Sequence, residues 1–452
     1  MSLVASILAG CSGSDGEPVT MATGTAAGPV AWTRVLGGSG EQMGWQVATT
    51  NTGEIVVAGM MQSRVDFGAV GQIDTVSDGD IFVAWLKPDG EVERVRRFGE
   101  TGLHIPTGIA VDANGGVILT GVMMGSVDFG GGKLDNQGGM DAFLVSLAPN
   151  GDYRFAIQVG NTQDQSGTQV ALNSDGDILW LGTFEGSVSI AGTALQSAGQ
   201  ADLFISKISP AGKTLWAHAL GSASVETAAA MSLLPQNQIL LSGYYEGAPN
   251  LGDGALPDAA MLGGQFLAAL DATGKLSWSR GMTNEMGYFS FSPYADENGL
   301  PWLIGSMGGE VDLFGTKLTT PAQGVAVVQL DSNGQPLSSQ VFAGQQVGFV
   351  QAAKARGGGF VVAGEFQENL QISSQVLESA GVADVFLLWI DGQGRVTRQT
   401  RAGGSGEERF GGISMLPSGR VAVTGAFEGT MNAGDAAYTS NSGPDGFVML
   451  FN

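Results

Sequence analysis

Residues 54–61 read EIVVAGMM and residues 80–86 read DIFVAWL. The first is an apolar run closed by Gly59, and the second an aspartate followed two residues later by Phe82. Both runs are too short for a helix and are uninterrupted in apolar character, as expected of strands buried on both faces. The same pair returns along the chain. The closing glycine recurs as Gly121, Gly182, Gly243, Gly305, Gly364 and Gly425, at intervals of 62, 61, 61, 62, 59 and 61 residues. Two residues after each stands a bulky apolar group: Met61, Met123, Phe184, Tyr245, Met307, Phe366 and Phe427. The second row is Phe82, Phe143, Phe204, Phe266, Ala326, Phe386 and Phe447, preceded by Asp80, Asp141, Asp202, Asp384 and Asp445, with Gly264 and Gly324 in repeats four and five.

A period near 60 residues with two buried strands per repeat points outward to four strands, A to D. In the first repeat, strand A falls near residues 46–50, B near 54–59, C near 80–86 and D near 91–98. Turns Asn51-Thr52-Gly53 and Pro88-Asp89-Gly90 join A to B and C to D. Strand D ends in a glycine at Gly37, Gly99, Gly160, Gly221, Gly344 and Gly403, often with an aromatic residue five positions earlier, as at Trp32, Phe155 and Trp216. The expected fold is therefore all-β: a seven-bladed β-propeller with four-stranded blades. The seventh repeat runs out at Asn452 in strand C, while an unpaired strand D stands at residues 31–37 before the first repeat. Pairing the two would close the ring and leave no long exposed edge.

The composition agrees. The chain has 452 residues, 73 of them glycine, about twice the usual share of about 7%, and 43% of residues are apolar. Many short strands joined by tight turns account for both. The balance of 20 Lys+Arg against 43 Asp+Glu gives a formal charge of −23, which disfavours nucleic acid and anionic membrane surfaces. One cysteine, Cys11, allows no internal disulfide, and the two histidines, His104 and His218, lie in different repeats, which excludes a histidine-rich metal centre. We expect a monomer.

Residues 8–11, Leu-Ala-Gly-Cys, resemble a bacterial lipobox, although the ten residues before Cys11 are short for a leader and carry no basic residue. Residues 12–30 are rich in Gly, Ser, Thr and Ala and read as a flexible tether spanning on the order of 25 Å. The domain reading is thus 1–11 leader with Cys11 as the lipid attachment site, 12–30 tether and 31–452 propeller. Such a protein would be exported, as an outer-membrane lipoprotein or at the cell surface, touching the membrane only through its lipid.

Trp32…Gly37-Gly38, Ile109-Ala110-Val111-Asp112…Gly115 and Gly138…Asp141-Ala142-Phe143 together resemble the unit of the bacterial β-propeller repeat family of SBBP type. The resemblance covers residues 31–452, and repeats four and five depart most from it. It implies the architecture and a secreted or surface location, and it names no reaction.

The D–A and B–C connections share one face, and the B–C connections run to nearly 20 residues, so ligand binding is expected there, over the central channel. Glu41, Asp164, Glu226, Glu285 and Glu407 stand at similar places in the D–A segments. Five carboxylates around one mouth could hold a hard cation such as Ca²⁺ or receive a basic ligand, or each could cap a loop. Trp45, Tyr288, Phe349 and Phe410 near the starts of strand A could stack on sugars, or belong to the core. Turns such as Asp112–Gly115 look superficially like calcium loops but read as hairpin turns. The function expected is a non-enzymatic propeller that binds an envelope protein or glycan. The alternatives are an enzyme acting on extracellular polysaccharide and a purely structural envelope component. No catalytic residue is singled out.

Overall fold

The computed structural model describes residues 30–452 apart from 260–262, 285–287 and 435, so Cys11, the tether and Glu285 lie outside the described residues. The chain is nearly all β, of propeller type. Unit 1 is the antiparallel sheet Gln42–Thr49, Ile55–Met61, Asp80–Leu86 and Val92–Phe98, its strands A to D. Unit 2 is Thr101–Val111, Val117–Asp128, Asp141–Leu147 and Tyr153–Val159. Unit 3 is Gln165–Leu172, Ile178–Phe184, Asp202–Ile208 and Thr214–Leu220. Unit 4 is Glu226–Leu233, Ile239–Tyr245, Gly264–Leu270 and Leu276–Asn284. Unit 5 is Phe289–Ala295, Pro301–Leu313, Thr316–Leu330 and Pro336–Gln345. Unit 6 is Val350–Lys354, Phe360–Ile372, Asp384–Ile390 and Val396–Ala402.

The last sheet has Glu407–Met415, Val421–Glu428 and Asp445–Phe451 from the C-terminal end of the chain. Its fourth strand is Val30–Gly38, which pairs antiparallel with Asp445–Phe451 from Val30 opposite Phe451 to Leu36 opposite Gly446. The strands A lie beside one another in chain order, and Gln42–Thr49 lies beside Glu407–Met415.

The apolar cores sit between sheets rather than within them. One joins Val57, Phe82 and Ala84 of unit 1 to Ala422, Val448 and Leu450 of the last sheet. Another joins Val361, Val385 and Leu387 of unit 6 to Val423, Phe447 and Met449. Strands B and C are buried along nearly all of their paired length because each of their faces meets a neighbouring sheet.

The aromatic row of strand D has a second task. Trp32 lies over Gly90 in the C–D turn of unit 1 and donates from Nε1 to the Pro88 carbonyl at 3.0 Å. Phe155 covers Gly212, Trp216 covers Gly274 and Trp278 covers Gly334 in the same way. These four outer strands thus clamp the turn of the next unit, and the glycine there is required because a Cβ would enter the ring.

The long B–C connections differ from the expectation of open loops. Most carry a β-hairpin: residues 65–73, 126–135, 187–196, 311–318, 369–378 and 430–439. Their first arms bury an alternating pair, Val65 and Phe67, Val127 and Phe129, Val188 and Ile190, Val311 and Leu313, Leu370 and Ile372, Met431 and Ala433. Alternation at period two seals one face of each hairpin onto the body. Several also bond to the preceding strand D: Gly37–Gly38 pair with Val65–Asp66, and Met282–Asn284 with Val311–Leu313.

Replacing Trp32 by alanine removes a ring that packs on the next unit, and should lower unfolding free energy by about 2 kcal/mol. Deleting residues 30–38 exposes the edge of Asp445–Phe451 and should do far more, giving aggregation or loss of the cooperative melt. Calorimetry on both variants checks this; an unchanged melt for the deletion would contradict it.

Candidate functional site

The D–A and B–C face is built on a repeated corner. The aspartate opening strand C accepts a hydrogen bond from the backbone N–H four residues upstream. Asp80 accepts from Val76, Asp141 from Gln137, Asp202 from Ala198 and Asp384 from Ala380, at 2.7–3.0 Å. Asp445 bonds Asn441 and, at 3.2 Å, the N–H of Gly38. The glycine closing strand D packs on that carboxylate: a Cβ on Gly99, Gly160, Gly221 or Gly403 would collide with it. Two rows read separately in the sequence, the aspartates and the strand-D glycines, are one contact.

A third member was not read from the sequence. Strand A of the following unit places a buried polar side chain beside each aspartate: His104 by Asp80, Gln165 by Asp141, Glu226 by Asp202, Glu408 by Asp384 and Gln42 by Asp445. Their backbone N–H groups bond Gly79, Met140, Ala201, Ala383 and Pro444, each the residue before the aspartate. The signal was present as a register, five residues opposite the bulky row that follows the strand-B glycine, but the residue type varies.

Burial sets the charge at these corners. Glu408 is pushed up to about 8 by desolvation, and Asp384 beside it adds to the rise. Asp445 is raised to about 6 by burial. His104, whose Nδ1 donates to the Gly79 carbonyl at 3.1 Å, is pushed down by burial and stays neutral.

The acids expected to ring the mouth are therefore not equivalent. Glu41, Asp164 and Glu407 stand one residue before the corner position, so strand alternation turns them away from it. Asp164 is exposed and accepts the Met140 N–H at 2.9 Å. Glu407 pairs with Arg409 at 3.0 Å, and Glu41 lies near the same guanidinium. Glu226 is in the corner, fully buried, accepting from Ser222 N and Oγ at 2.7 and 2.8 Å. Among the described residues no group of three or more His, Cys, Asp or Glu is placed to hold a metal ion. The Asp112, Asn173 and Asp331 turns are hairpin turns, each side chain accepting from N–H groups two and four residues on.

The aromatic candidates also divide. Phe410 is 2% exposed, and Trp45 packs with Leu103 on Met60, Ile105 and Val122. Tyr288 and Phe349 are 50% and 48% exposed. Phe349 lies with its ring centroid 6.1 Å from that of Phe410. Between them sits Glu365, which accepts the Phe410 N–H at 2.9 Å and fills the space where a Cβ on Gly348 would be. Burial raises its carboxyl above the ordinary range. Ser290, two residues after Tyr288, joins its hydroxyl to that of Tyr244 at 2.8 Å, and Gln346, in the connection leading to Phe349, holds a positive φ of 44°. Backbone of that kind costs on the order of 1–3 kcal/mol and concentrates at functional sites.

This sector is where the repeat breaks. In unit 4 the ring of Tyr245 takes the place of the corner aspartate: a Cβ on Gly264 would strike it, and its hydroxyl donates to Pro257 O at 3.0 Å. Unit 5 has Gly324 against the Phe342 backbone. Exposed Tyr288 and Phe349 follow those two irregular corners.

The sequence matches no protein-family profile and no curated protein. Among solved structures, the chain is similar to an ulvan lyase of polysaccharide lyase family PL25, with 13% identity over 87% of this chain and 93% of that one and a TM-score of 0.46. It is similar to YCF48 bound to a D1 peptide, with 9% identity over 94% and 95% and a TM-score of 0.44. A protein of unknown function from Dyadobacter fermentans aligns with 11% identity over 93% and 99% at a TM-score of 0.40.

A carboxyl raised in the folded state binds its proton there across a pH range where the unfolded chain has lost it, so stability falls as pH rises through that range. For Glu408 the window runs from the ordinary 4.5 to about 8. Glu408→Gln cannot ionise. Its stability relative to the parent should therefore grow from pH 5 to pH 8, by on the order of 3 kcal/mol, and level off above. Urea melts at a series of pH values check this.

Proposed function

We propose that the chain is a seven-bladed β-propeller, closed by Val30–Gly38 as the outer strand of the last blade, that binds a glycan without transforming it. The observation that carries the reading is the pair of half-exposed rings, Tyr288 and Phe349, in the one sector where the repeated corner is replaced. Flat aromatic surface offers a sugar ring an apolar platform, and a few convergent polar groups orient the ligand. Glu365, which accepts the Phe410 N–H, and the Tyr244–Ser290 hydroxyl pair are the polar groups we assign to that role. The remaining corners are absorbed by packing, and a repeated structural contact is a poor place for a unique reaction.

The anchoring reading extends this. Strand D runs from the tight-turn face to the D–A face, so Val30, opposite Phe451, starts at the tight-turn face on the rim. A lipid on Cys11 and a tether over residues 12–30 would hold that face toward an outer membrane. The D–A face with Tyr288 and Phe349 would then point away from the lipid.

A panel of neutral, acidic and amino polysaccharides, read by affinity electrophoresis, tests the binding. The parent should be retarded by at least one polymer. Tyr288→Ala/Phe349→Ala should lose at least tenfold in affinity with an unchanged melting temperature. Equal retardation of both proteins would overturn the site, and release of new reducing or unsaturated ends would favour the enzyme reading instead.

Labelling with radioactive palmitate tests the anchor. The parent should incorporate label and Cys11→Ala should not; equal incorporation refutes attachment at Cys11.

A further inference from the structure

The formal charge of −23 is not spread evenly over the molecule. Of the 20 Lys and Arg residues, six stand on the D–A and B–C side: Arg64, Arg97, Lys133, Lys317, Arg401 and Arg409. Each of the six is paired with a carboxylate, at 2.5–3.0 Å. The other 14 lie at the tight turns, at the strand ends beside them, or along strand D short of its D–A end. There Arg94, Arg154 and Lys207 pair with Glu54, Asp112 and Asp177. Arg34 and Arg280 donate to the Gly90 and Asn333 carbonyls of the C–D turns.

The acids divide the other way. Among the described residues, 26 Asp and Glu belong to the D–A and B–C side and 13 to the tight-turn side, where they meet the 14 basic residues. One side is balanced, and the other carries nearly all of the charge. Seven of the 26 are the buried corner acids. Most of the rest are exposed, Asp78, Glu100, Glu246, Glu368, Glu378 and Glu428 among them. Solubility asks for net charge but not for its segregation. Charge gathered on one face draws cations to that face and turns anions away.

The half-exposed rings of Tyr288 and Phe349 lie on that same side. Glu365 stands between Phe349 and Phe410, and Glu407 and Arg409 lie close enough to act on its charge. An aromatic face attracts a cation, and adjoining carboxylates neutralise it. We infer that the glycan taken by this face is one carrying free amino groups, with sugar rings on Tyr288 and Phe349 and ammonium groups toward Glu365 and Glu407. The inference rests on the glycan reading above and names its ligand class. A glycan bearing carboxylates or sulfates meets a repelling field here, and a neutral one gains nothing from it.

The test is calorimetric titration with hexamers of glucosamine and of N-acetylglucosamine, at about pH 6 and in about 20 and 200 mM NaCl. Acetylation keeps the sugar ring and removes the charge. The parent should bind the amino hexamer at least tenfold more tightly than the acetylated one, and lose at least tenfold of that affinity in the higher salt. Tyr288→Ala/Phe349→Ala and Glu365→Gln/Glu407→Gln, each with a parental melting temperature, should both weaken the amino hexamer at least tenfold. Equal or tighter binding of the acetylated hexamer overturns the inference, as does an amino hexamer that binds both variants like the parent. Hexalysine, bound as tightly as the amino hexamer and weakened by the same variants, overturns it in favour of a basic polypeptide. A neutral or acidic polysaccharide that needs Tyr288 and Phe349, with no binding of the amino hexamer, overturns this inference alone and leaves the glycan reading standing. Binding of no sugar of any class overturns both.

Discussion

One close approach holds the D–A face together: a buried aspartate at the start of strand C against a glycine at the end of strand D. The aspartate satisfies a backbone N–H four residues upstream, and the glycine leaves room for its carboxylate. The first buried residue of the next strand A then bonds the carbonyl just before that aspartate. Three strands from two units meet at a single side chain. A buried carboxylate is costly unless hydrogen-bonded, so its partners are constrained in turn. Arg97, Gln158 and Arg401 meet that need in units 1, 2 and 6. In the last sheet the need is met from the other end of the chain, by Gly38.

The architecture was legible because it rests on spacing. The strand-B glycine and the strand-C phenylalanine lie against each other, and a Cβ on Gly59, Gly182 or Gly243 would strike the ring of Phe82, Phe204 or Phe266. A contact this close leaves a row of one residue type, broken only at Ala326 in repeat five. The strand-D aromatic row is looser, since an arginine or a stacked Trp216–His218 pair also serves at the turn of the next unit. It was visible in some repeats only. The hairpins were missed although Val-Asp-Phe-Gly stands at both 65–68 and 127–130. Elsewhere that motif decays to Val188-Ser189-Ile190 or Leu370-Gln371-Ile372, and only burial of alternate positions persists.

The acids expected at a channel mouth show the opposite failure. Choosing them by residue type merged two registers that differ by one position. In a strand that difference reverses the direction of the side chain. Glu226 belongs with Gln42, His104, Gln165 and Glu408, whereas Glu41, Asp164 and Glu407 precede that row. The corner row escapes a search by composition because glutamine, neutral histidine and a protonated glutamate can each sit buried beside an aspartate. What they share is position and hydrogen-bond geometry.

The repeat also indicates where specificity can arise. A side chain committed to a contact made in several units is not free to diverge, since its replacement opens a buried polar group. Departures are therefore informative. Tyr245 takes over the space of the corner aspartate in unit 4 and keeps its hydroxyl satisfied at Pro257, with burial raising its ionisation to about 12. That substitution frees the neighbouring strand A from carrying a polar partner, and Phe289, paired with Met307, stands near that position in unit 5. Tyr288 beside it is left half-exposed. Relaxation of the corner in units 4 and 5 is thus the structural condition for the exposed aromatic surface that follows, in a chain whose other corners are fixed.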